Sequence, residues 1–221
     1  MHDSSGTPSG PARHEADSDL PAPHRLALAY APAAARPAWT ALLALDLRLA
    51  ALLREAREPL LAQIRLAWWR DRLNEESASW PIGEPVLAAL ASWRGRHRLL
   101  VDLVNGWEQL LGDAPLPAER LAAMAHGRAT AIAALAEVLG EGDQVRERAM
   151  HAGRLWALSD LAAHLNHPAE IADVQALLAG EPSSMPLLPR SLRPLPVMHA
   201  LVTRHGGRAI LVAMRLGLFG R

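Results

Sequence analysis

Two aspartates stand in otherwise apolar segments, where a carboxylate needs a specific reason to be present. Asp46 interrupts a leucine-rich stretch, and Asp160 lies in a second apolar stretch with His164 one helical turn further on. A buried carboxylate without a partner costs several kcal/mol or takes up a proton, so each aspartate should have a cationic neighbour. Arg65 or Arg70, on the next predicted helix, is the natural partner for Asp46. Two interpretations stay open: ordinary ion pairs, or a ligand-contacting pocket.

Other residue types with chemical potential do not form a recognisable site. His164 and His167 are three residues apart, as two ligands on one helical face would be, but Pro168 follows directly and no third ligand is evident. Ser183 and Ser184 lie in a Pro-rich stretch without the G-x-S-x-G context of a serine hydrolase. No glycine-rich phosphate loop is found either. We therefore expect neither a metal nor a cofactor.

Composition excludes several function classes. The chain has no cysteine, which removes disulfides, thiolate nucleophiles and cysteine-based metal sites. Its 23 basic residues, all arginine, balance 23 acidic ones, so no net field attracts nucleic acid.

No secretory signal pattern is seen, and no apolar run reaches the ~18 residues of a transmembrane helix. We expect a cytoplasmic protein. The apolar stretch 210–219 should close the core, or else lie peripherally on the inner membrane.

Helices should position Asp46 and Asp160. Half of the residues are hydrophobic, mainly Ala and Leu, and each long segment has the period of an α-helix. Residues 1–23 are rich in Pro, Gly and Ser and should form a disordered tail, while residues 24–221 should form one all-α domain. Prolines and glycines bound the expected helices: 36–58, 59–78, 85–111, 117–139, 143–165, 168–178, 189–203 and 208–218. Gly95 and Gly106 are possible weak points in the third of these helices.

The segment from Arg57 to Leu73 carries the most distinctive pattern in the chain. Two adjacent tryptophans, Trp68 and Trp69, are framed by Arg65 and Arg70. Tryptophans in a helix usually pack in a core, which is the simplest interpretation of the pair on its own. Four apolar residues recur at helical spacing on one side of this predicted helix: Leu61, Ile64, Trp68 and Leu73.

This segment, REPLLAQIRLAWWRDRL, resembles a Q-I-R-L-x-W-W-R-x-x-L pattern of squalene and phytoene synthases and of the related mitochondrial complex I assembly factor. Four further segments resemble motifs of the same family, in the same order: Arg25–Pro32, Ala41–Leu53, Ala152–Leu165 and Leu187–Leu201. The resemblance covers roughly residues 25 to 218. It implies a single-domain helical bundle of the isoprenoid synthase type.

The resemblance also implies a chemistry, because enzymes of this family join two prenyl diphosphates. In those enzymes, two aspartate clusters on facing helices hold the magnesium ions that bind the diphosphate. Aligning the motifs places other residues at these positions: Ala50, Ala51 and Arg54 in the first cluster, His164 and Pro168 in the second, and Ala163 at a family arginine. No D-D-x-x-D or D-x-x-x-D pattern occurs in the sequence, so a shifted alignment restores neither cluster.

Three functions are compatible with these patterns. The leading hypothesis is a catalytically degenerate family member that serves as a binding or assembly scaffold for a protein client. One alternative is an active prenyl transferase of isoprenoid or terpenoid biosynthesis, whose rewired site uses Asp46, Asp160 and arginines on the diphosphate; another is an isoprenoid or lipid carrier. An enzyme needs charged groups in an open cavity, a carrier needs an open apolar cavity free of Trp68 and Trp69, and a scaffold can have a filled cavity with an exposed apolar patch.

Overall fold

The computed structural model describes residues 20–55, 58–182 and 184–203. Within these ranges nine α-helices and four short 3-10 turns follow one another and no strand occurs, which confirms the all-α prediction. The helices are α1 (Ala22–Leu28), α2 (Arg36–Glu55), α3 (Pro59–Asn74), α4 (Pro85–Leu90), α5 (Val101–Glu108), α6 (Ala118–Val138), α7 (Asp143–His164), α8 (Pro168–Gly180) and α9 (Pro194–Thr203).

Proline and glycine set most of the helix boundaries, as the sequence predicts. Helices α3, α4 and α8 each begin with a proline, whose missing N–H is no loss in the first turn. Helix α6 ends where Gly140 adopts a φ of +82°. There the Glu141 N–H donates to the Ala136 carbonyl at 3.0 Å, which is the closing bond of a glycine C-cap. The predicted cap at Gly140 is confirmed.

The predicted single helix over 85–111 is wrong. Helix α4 ends at Leu90, and the chain passes through two 3-10 turns, Ala91–Trp93 and Arg96–Leu100, before α5 begins. The break lies at Arg94 and Gly95, whose φ values of 52° and 80° are incompatible with a right-handed helix. The glycine therefore interrupts a pattern whose apolar spacing alone would continue.

Packing holds this break in place. Trp93 is completely buried, and its indole N–H donates to the Ala38 carbonyl of α2 at 3.1 Å. Trp39, on the same helix, is also fully buried and donates to the Ser191 carbonyl at 2.8 Å, which ties α2 to the 3-10 turn Arg190–Leu192. That turn replaces the start of the predicted helix 189–203.

At both ends of the chain, only part of the predicted structure falls within the described residues. Leu20 is buried and α1 begins at Ala22, so the last residues of the span predicted as a tail take part in the fold. Residues 1–19 and the predicted helix 208–218 lie outside the described residues. Among the residues that are described, no helix has both the length and the hydrophobicity that crossing a membrane requires.

Glycines on α6 and α7 let the helices around the candidate site approach one another closely. A Cβ atom on Gly127 would lie 2.4 Å from the Asp102 carbonyl oxygen of α5. A Cβ atom on Gly153 of α7 would lie 3.0 Å from the Cα atom of Ala129. Gly127 and Ala129 come directly before and after Arg128, so the backbone on both sides of the arginine lies against neighbouring helices. The arginine side chain is thereby directed into the centre of the bundle.

Candidate functional site

Arg128 of α6 joins two helices through their carboxylates. Its Nη2 lies 2.5 Å from Asp46 Oδ2 of α2, and its Nε lies 3.2 Å from both Asp46 oxygens. Its Nη1 lies 2.6 Å from Asp160 Oδ2 of α7. The side chains of Arg128 and Asp46 are 6% and 5% exposed, and that of Asp160 is 21% exposed. One buried cation is thus shared by two acids.

Two tryptophans complete the surroundings of the guanidinium. Its central carbon lies 4.2 Å from the centre of the Trp156 ring and 5.5 Å from that of Trp107. Both distances are within the range of cation–π attraction. Trp107 also donates its indole N–H to Asp46 Oδ1 at 2.7 Å. Asp46 is therefore bonded to two side chains from two different helices, as a buried carboxylate must be.

Arg128 and the two aspartates stabilise one another's ionised forms. Burial lowers the pKa of Arg128, but the charges and hydrogen bonds of Asp46 and Asp160 outweigh burial, and the pKa lies above its ordinary value. For Asp160, burial raises the pKa, but the charge and hydrogen bond of Arg128 hold it below the ordinary value. Both groups are therefore ionised at neutral pH.

His24 of α1 is a further titratable group near this cluster. Its Nδ1 atom is buried and has no hydrogen-bond partner among the described residues. Burial lowers the pKa of His24, and the charge of Arg128 lowers it too, while Asp46 and Asp160 act in the opposite direction. His24 is thus held neutral near two carboxylates by desolvation.

Little space is left beside the Arg128 cluster. A cavity of about 10 Å³ adjoins Asp46 and Arg128, and its other walls are apolar side chains such as Leu42, Ile132 and Trp156. This is about the volume that a single water molecule requires. A prenyl chain does not fit in this cavity.

The predicted partner of Asp46 is wrong. Neither Arg65 nor Arg70 pairs with it; Arg128, which is 82 residues away in the sequence, does. Arg70 instead forms an ion pair with Glu108 and donates to the Asn105 side chain at 2.9 Å. Arg65 is exposed on α3. Of the seven candidate pocket residues, the structure brings together Asp46, Asp160 and His164.

The predicted apolar face of α3 is also different in the structure. Leu61, Ile64 and Trp68 are exposed, and only Leu73 of that set is buried. The helix contacts the core through another row at helical spacing: Ala62, Leu66, Trp69 and Leu73. Trp69 thus packs in the core as a tryptophan usually does, while Trp68 lies outside it, with its ring edge-on to Trp69 at 5.1 Å.

The positions aligned with the family's aspartates carry no carboxylate. Ala50 and Ala51 are half-buried on α2, and Arg54 is exposed near its end. On α7, His164 is exposed, and its Nδ1 lies 2.8 Å from the Asp160 carbonyl oxygen. Pro168 is the first residue of α8 and has no side-chain ligand. In the part of the chain that the structure describes, no three acidic or histidine residues form a group that could bind a metal.

The sequence interpretation did not identify Arg128, Trp107, Trp156 or His24. One signal for Arg128 is present: it is the only charged residue in the long alanine-rich stretch LAAMAHGRATAIAALA. A charge in the middle of such a buried helix implies a buried counter-charge. Asp46 and Asp160 occupy equivalent positions in two other apolar helices. Pairing Arg128 with Asp46 and Asp160 satisfies all three charges inside the bundle.

Comparison with known families agrees with this architecture. A family model described as squalene/phytoene synthase matches residues 23–174, which is more than half of the chain. The chain belongs to the squalene/phytoene synthase family. The strand-free helical architecture of the described residues is consistent with the isoprenoid synthase fold of that family. No curated protein and no solved structure matches the chain significantly. The match establishes the family, and the resemblance to the complex I assembly factor stays a prediction.

Proposed function

We propose that this protein is a catalytically degenerate member of its family that acts as a binding or assembly scaffold, like the complex I assembly factor that its sequence resembles. The observation that carries the proposal is the position of Arg128. Its guanidinium lies between Asp46 of one helix and Asp160 of another, with both carboxylates hydrogen-bonded to it. The cluster therefore contains its own cation, covalently attached to the chain.

The charge balance of this region opposes magnesium chemistry. Mg²⁺ prefers several oxygen ligands in octahedral geometry, and it usually bridges carboxylates to phosphate. Here the two available carboxylates are occupied by Arg128, and the first-cluster positions are two alanines and an exposed arginine, Arg54. Departure of a diphosphate from an allylic carbon would have no metal to compensate the developing charge. This argues against the alternative of an active prenyl transferase.

Cavity size argues against the carrier alternative. The cavity beside Arg128 has a volume of about 10 Å³. A shallow surface cleft lined by Arg25, Leu28, Ala29 and Arg36 has a volume of about 160 Å³. Pockets for drug-sized ligands usually enclose ~300 Å³ or more, and they are largely preformed. A filled bundle with an exposed apolar face on α3 fits a scaffold better.

Ligand-induced stabilisation tests the proposal against both alternatives. A synthase at a substrate concentration 100 times its dissociation constant gains about 2.7 kcal/mol of stability. For a domain of this size that raises the melting temperature by ~5–10 °C. We expect no such shift with farnesyl or geranylgeranyl diphosphate plus Mg²⁺, and no release of diphosphate on long incubation. Release that requires Mg²⁺ and is lost in Asp160→Asn would contradict the proposal.

Two further outcomes separate the remaining functions. A thermal shift with prenyl diphosphate that persists in excess EDTA would indicate binding through arginines and would favour the carrier. Affinity purification of this protein from its source cell should recover a client protein in near-stoichiometric amount. Purification through a tag on that client should in turn recover this protein. Failure to recover any such client would leave the scaffold role without support, even if catalysis is absent.

A further inference from the structure

Helix α3 carries apolar side chains on two sides, and the other described residues cover only one of them. The inner row packs in the core, as described above. On the opposite side, Leu60, Leu61, Ile64 and Trp68 are 63%, 47%, 57% and 37% exposed. Leu60, Ile64 and Trp68 follow one another at intervals of four residues, so they form a continuous strip. Large apolar side chains that form a continuous exposed strip often mark an interaction surface.

The outer face is preorganised for contact. Trp68 is fixed edge-on against the buried Trp69, and the guanidinium of Arg72 lies 5.7 Å from the centre of the Trp68 ring. Arg72 is in turn held by Glu75 at 2.6 Å. A large aromatic side chain that is already immobilised loses little entropy when a partner covers it. Tryptophan in such a setting is the residue type that most often dominates binding energy at interfaces.

The charges along one edge of this face identify its partner. Glu58, Leu61, Arg65, Trp68 and Arg72 form one row at helical spacing, with an acid at the start and arginines at the middle and end. A uniformly anionic surface, such as a lipid headgroup layer, would attract the arginines but repel Glu58 and the exposed Asp71, so it would match the row only in part. An identical row running in the opposite direction instead places each Glu58 opposite an Arg72. The edge is therefore complementary to itself.

We propose that the outer face of α3 pairs with the same face of a second copy of this chain, with the two helices antiparallel about a two-fold axis. Glu58 and Arg72 are ~21 Å apart along a helix at 1.5 Å per residue, so the axis passes near Ile64 and Arg65. Leu61 of one copy then lies near Trp68 of the other. The two Arg65 side chains lie near the axis and are long enough to turn their charged ends to solvent.

The small area of the outer face limits the affinity of this dimer. A stable interface usually buries about 800 Å² on each partner, which a single helical face with four large apolar residues does not reach. Exposed ion pairs such as Glu58 with Arg72 add little to affinity, although they select the antiparallel direction. The dimer is accordingly a reversible one, with a dissociation constant on the order of micromolar to tens of micromolar.

Disulfide trapping tests the contact directly, because the sequence contains no cysteine. Oxidised Ile64→Cys should form a covalent dimer in good yield, since the two copies of residue 64 meet at the axis. Leu187→Cys is the matched control, because Leu187 is 64% exposed and lies outside α3. It should stay monomeric under the same conditions. Equal cross-linking of the two variants would reflect random collision and would overturn the proposal.

The direction of pairing has its own test. A mixture of Glu58→Cys and Arg72→Cys chains should form the mixed disulfide in preference to either homodimer, as read by mass spectrometry of the linked peptides. Homodimers of each variant in preference to the mixed species would show parallel helices and would contradict the antiparallel arrangement.

Sedimentation velocity tests the unmodified protein. The wild-type chain should change from monomer to dimer as its concentration is raised into the ~100 µM range. Ile64→Glu should lower the association constant at least ~100-fold, because it places two carboxylates in the contact. Its helical circular dichroism should be unchanged, since Ile64 is outside the core. A wild-type monomer throughout, a dimer that survives Ile64→Glu, or wild-type binding to anionic vesicles without self-association would each refute the proposal, and none of these results bears on catalytic degeneracy.

Discussion

The guanidinium carbon of Arg128 lies 4.2 Å from the centre of the Trp156 ring, with Asp46 and Asp160 bonded to its nitrogens. The arginine is fixed by an aromatic face on one side and by two carboxylates at its edge. Arginine suits this position because its planar fork binds two carboxylates while its face stacks on an aromatic ring. The cluster thus joins α2, α6 and α7 through buried side chains.

Removing the buried cation should cost much of the protein's stability. Arg128→Met leaves Asp46 as a buried carboxylate without its counter-charge, and we expect the free energy of unfolding to fall by ~3–5 kcal/mol. Arg128→Lys keeps the charge but cannot bond to both acids with the same geometry, so an intermediate loss is expected. Urea denaturation followed by circular dichroism measures both effects.

Arg148→Met is the matched control for these variants. Arg148 is exposed on α7, and its Nε donates only to the Gln144 carbonyl of the same helix. Its replacement should change stability by less than ~0.5 kcal/mol. If Arg128→Met were no more destabilising than Arg148→Met, the Arg128 cluster would be solvated in solution.

The two acids of the cluster should respond unequally. Asp46→Ala and Asp46→Asn remove the more buried charge and should each destabilise the protein by ~3 kcal/mol, whereas Asp160→Asn should cost ~1 kcal/mol because Asp160 is partly exposed.

In an Arg128→Met background, Asp46→Asn should instead be neutral or stabilising, because it removes an uncompensated charge. This double-mutant cycle isolates the coupling of Asp46 to Arg128. Additive effects of the two changes would show that they are not paired.

Local sequence signals were sufficient for most of the fold. A proline starts each of α3, α4 and α8, and a glycine follows α6. These residues determine the helix ends through backbone geometry within a few residues, so the sequence predicts these boundaries. The break between α4 and α5 lies at Gly95, one of two possible weak points in the sequence, but the apolar repeat continues through both glycines and does not show which of them ends the helix. It depends on Trp93 reaching the Ala38 carbonyl, a contact between residues 55 apart.

The site could be predicted only in part, for a related reason. Asp46 and Asp160 stand out locally as charges in apolar helices, and both belong to the cluster. Their predicted partner lies on the neighbouring helix, whereas the actual contact joins Asp46 to Arg128, a residue 82 positions away in the sequence. On α3, Ile64 and Trp68 have the same helical spacing as the buried Leu66 and Trp69, so hydrophobicity alone could not tell the covered face from the exposed one.

The close approach of α5 and α6 should tolerate no side chain at Gly127. In Gly127→Ala the new Cβ would lie 2.4 Å from the Asp102 carbonyl oxygen and 3.0 Å from the Gly106 Cα, and both are backbone atoms that cannot rotate away. We expect a loss of ~2–4 kcal/mol, because α6 must shift and carries Arg128 with it. Gly142→Ala is the control, since a Cβ there meets nothing within 4 Å. Similar melting temperatures for the two variants would contradict this packing.

Mild acid should weaken the protein through His24. Its folded-state pKa lies below the ordinary value of 6.5 because burial disfavours the imidazolium, and Arg128 adds to this effect against the opposing charges of Asp46 and Asp160. Above pH 6.5 the residue is neutral in both states and contributes no pH dependence. As the pH falls below 6.5, the unfolded chain takes up the proton first, so stability declines until the pH passes the folded-state value.

Comparison with His24→Gln isolates this contribution, because all other histidines are shared by the two proteins. The wild-type protein should lose more unfolding free energy than His24→Gln between about pH 7.5 and about pH 5 in urea denaturation. Asp160 does not interfere in this window, since its pKa is held below the ordinary 3.8 and its stabilising charge is lost only in stronger acid. Parallel pH profiles for the two proteins would show that His24 is solvated.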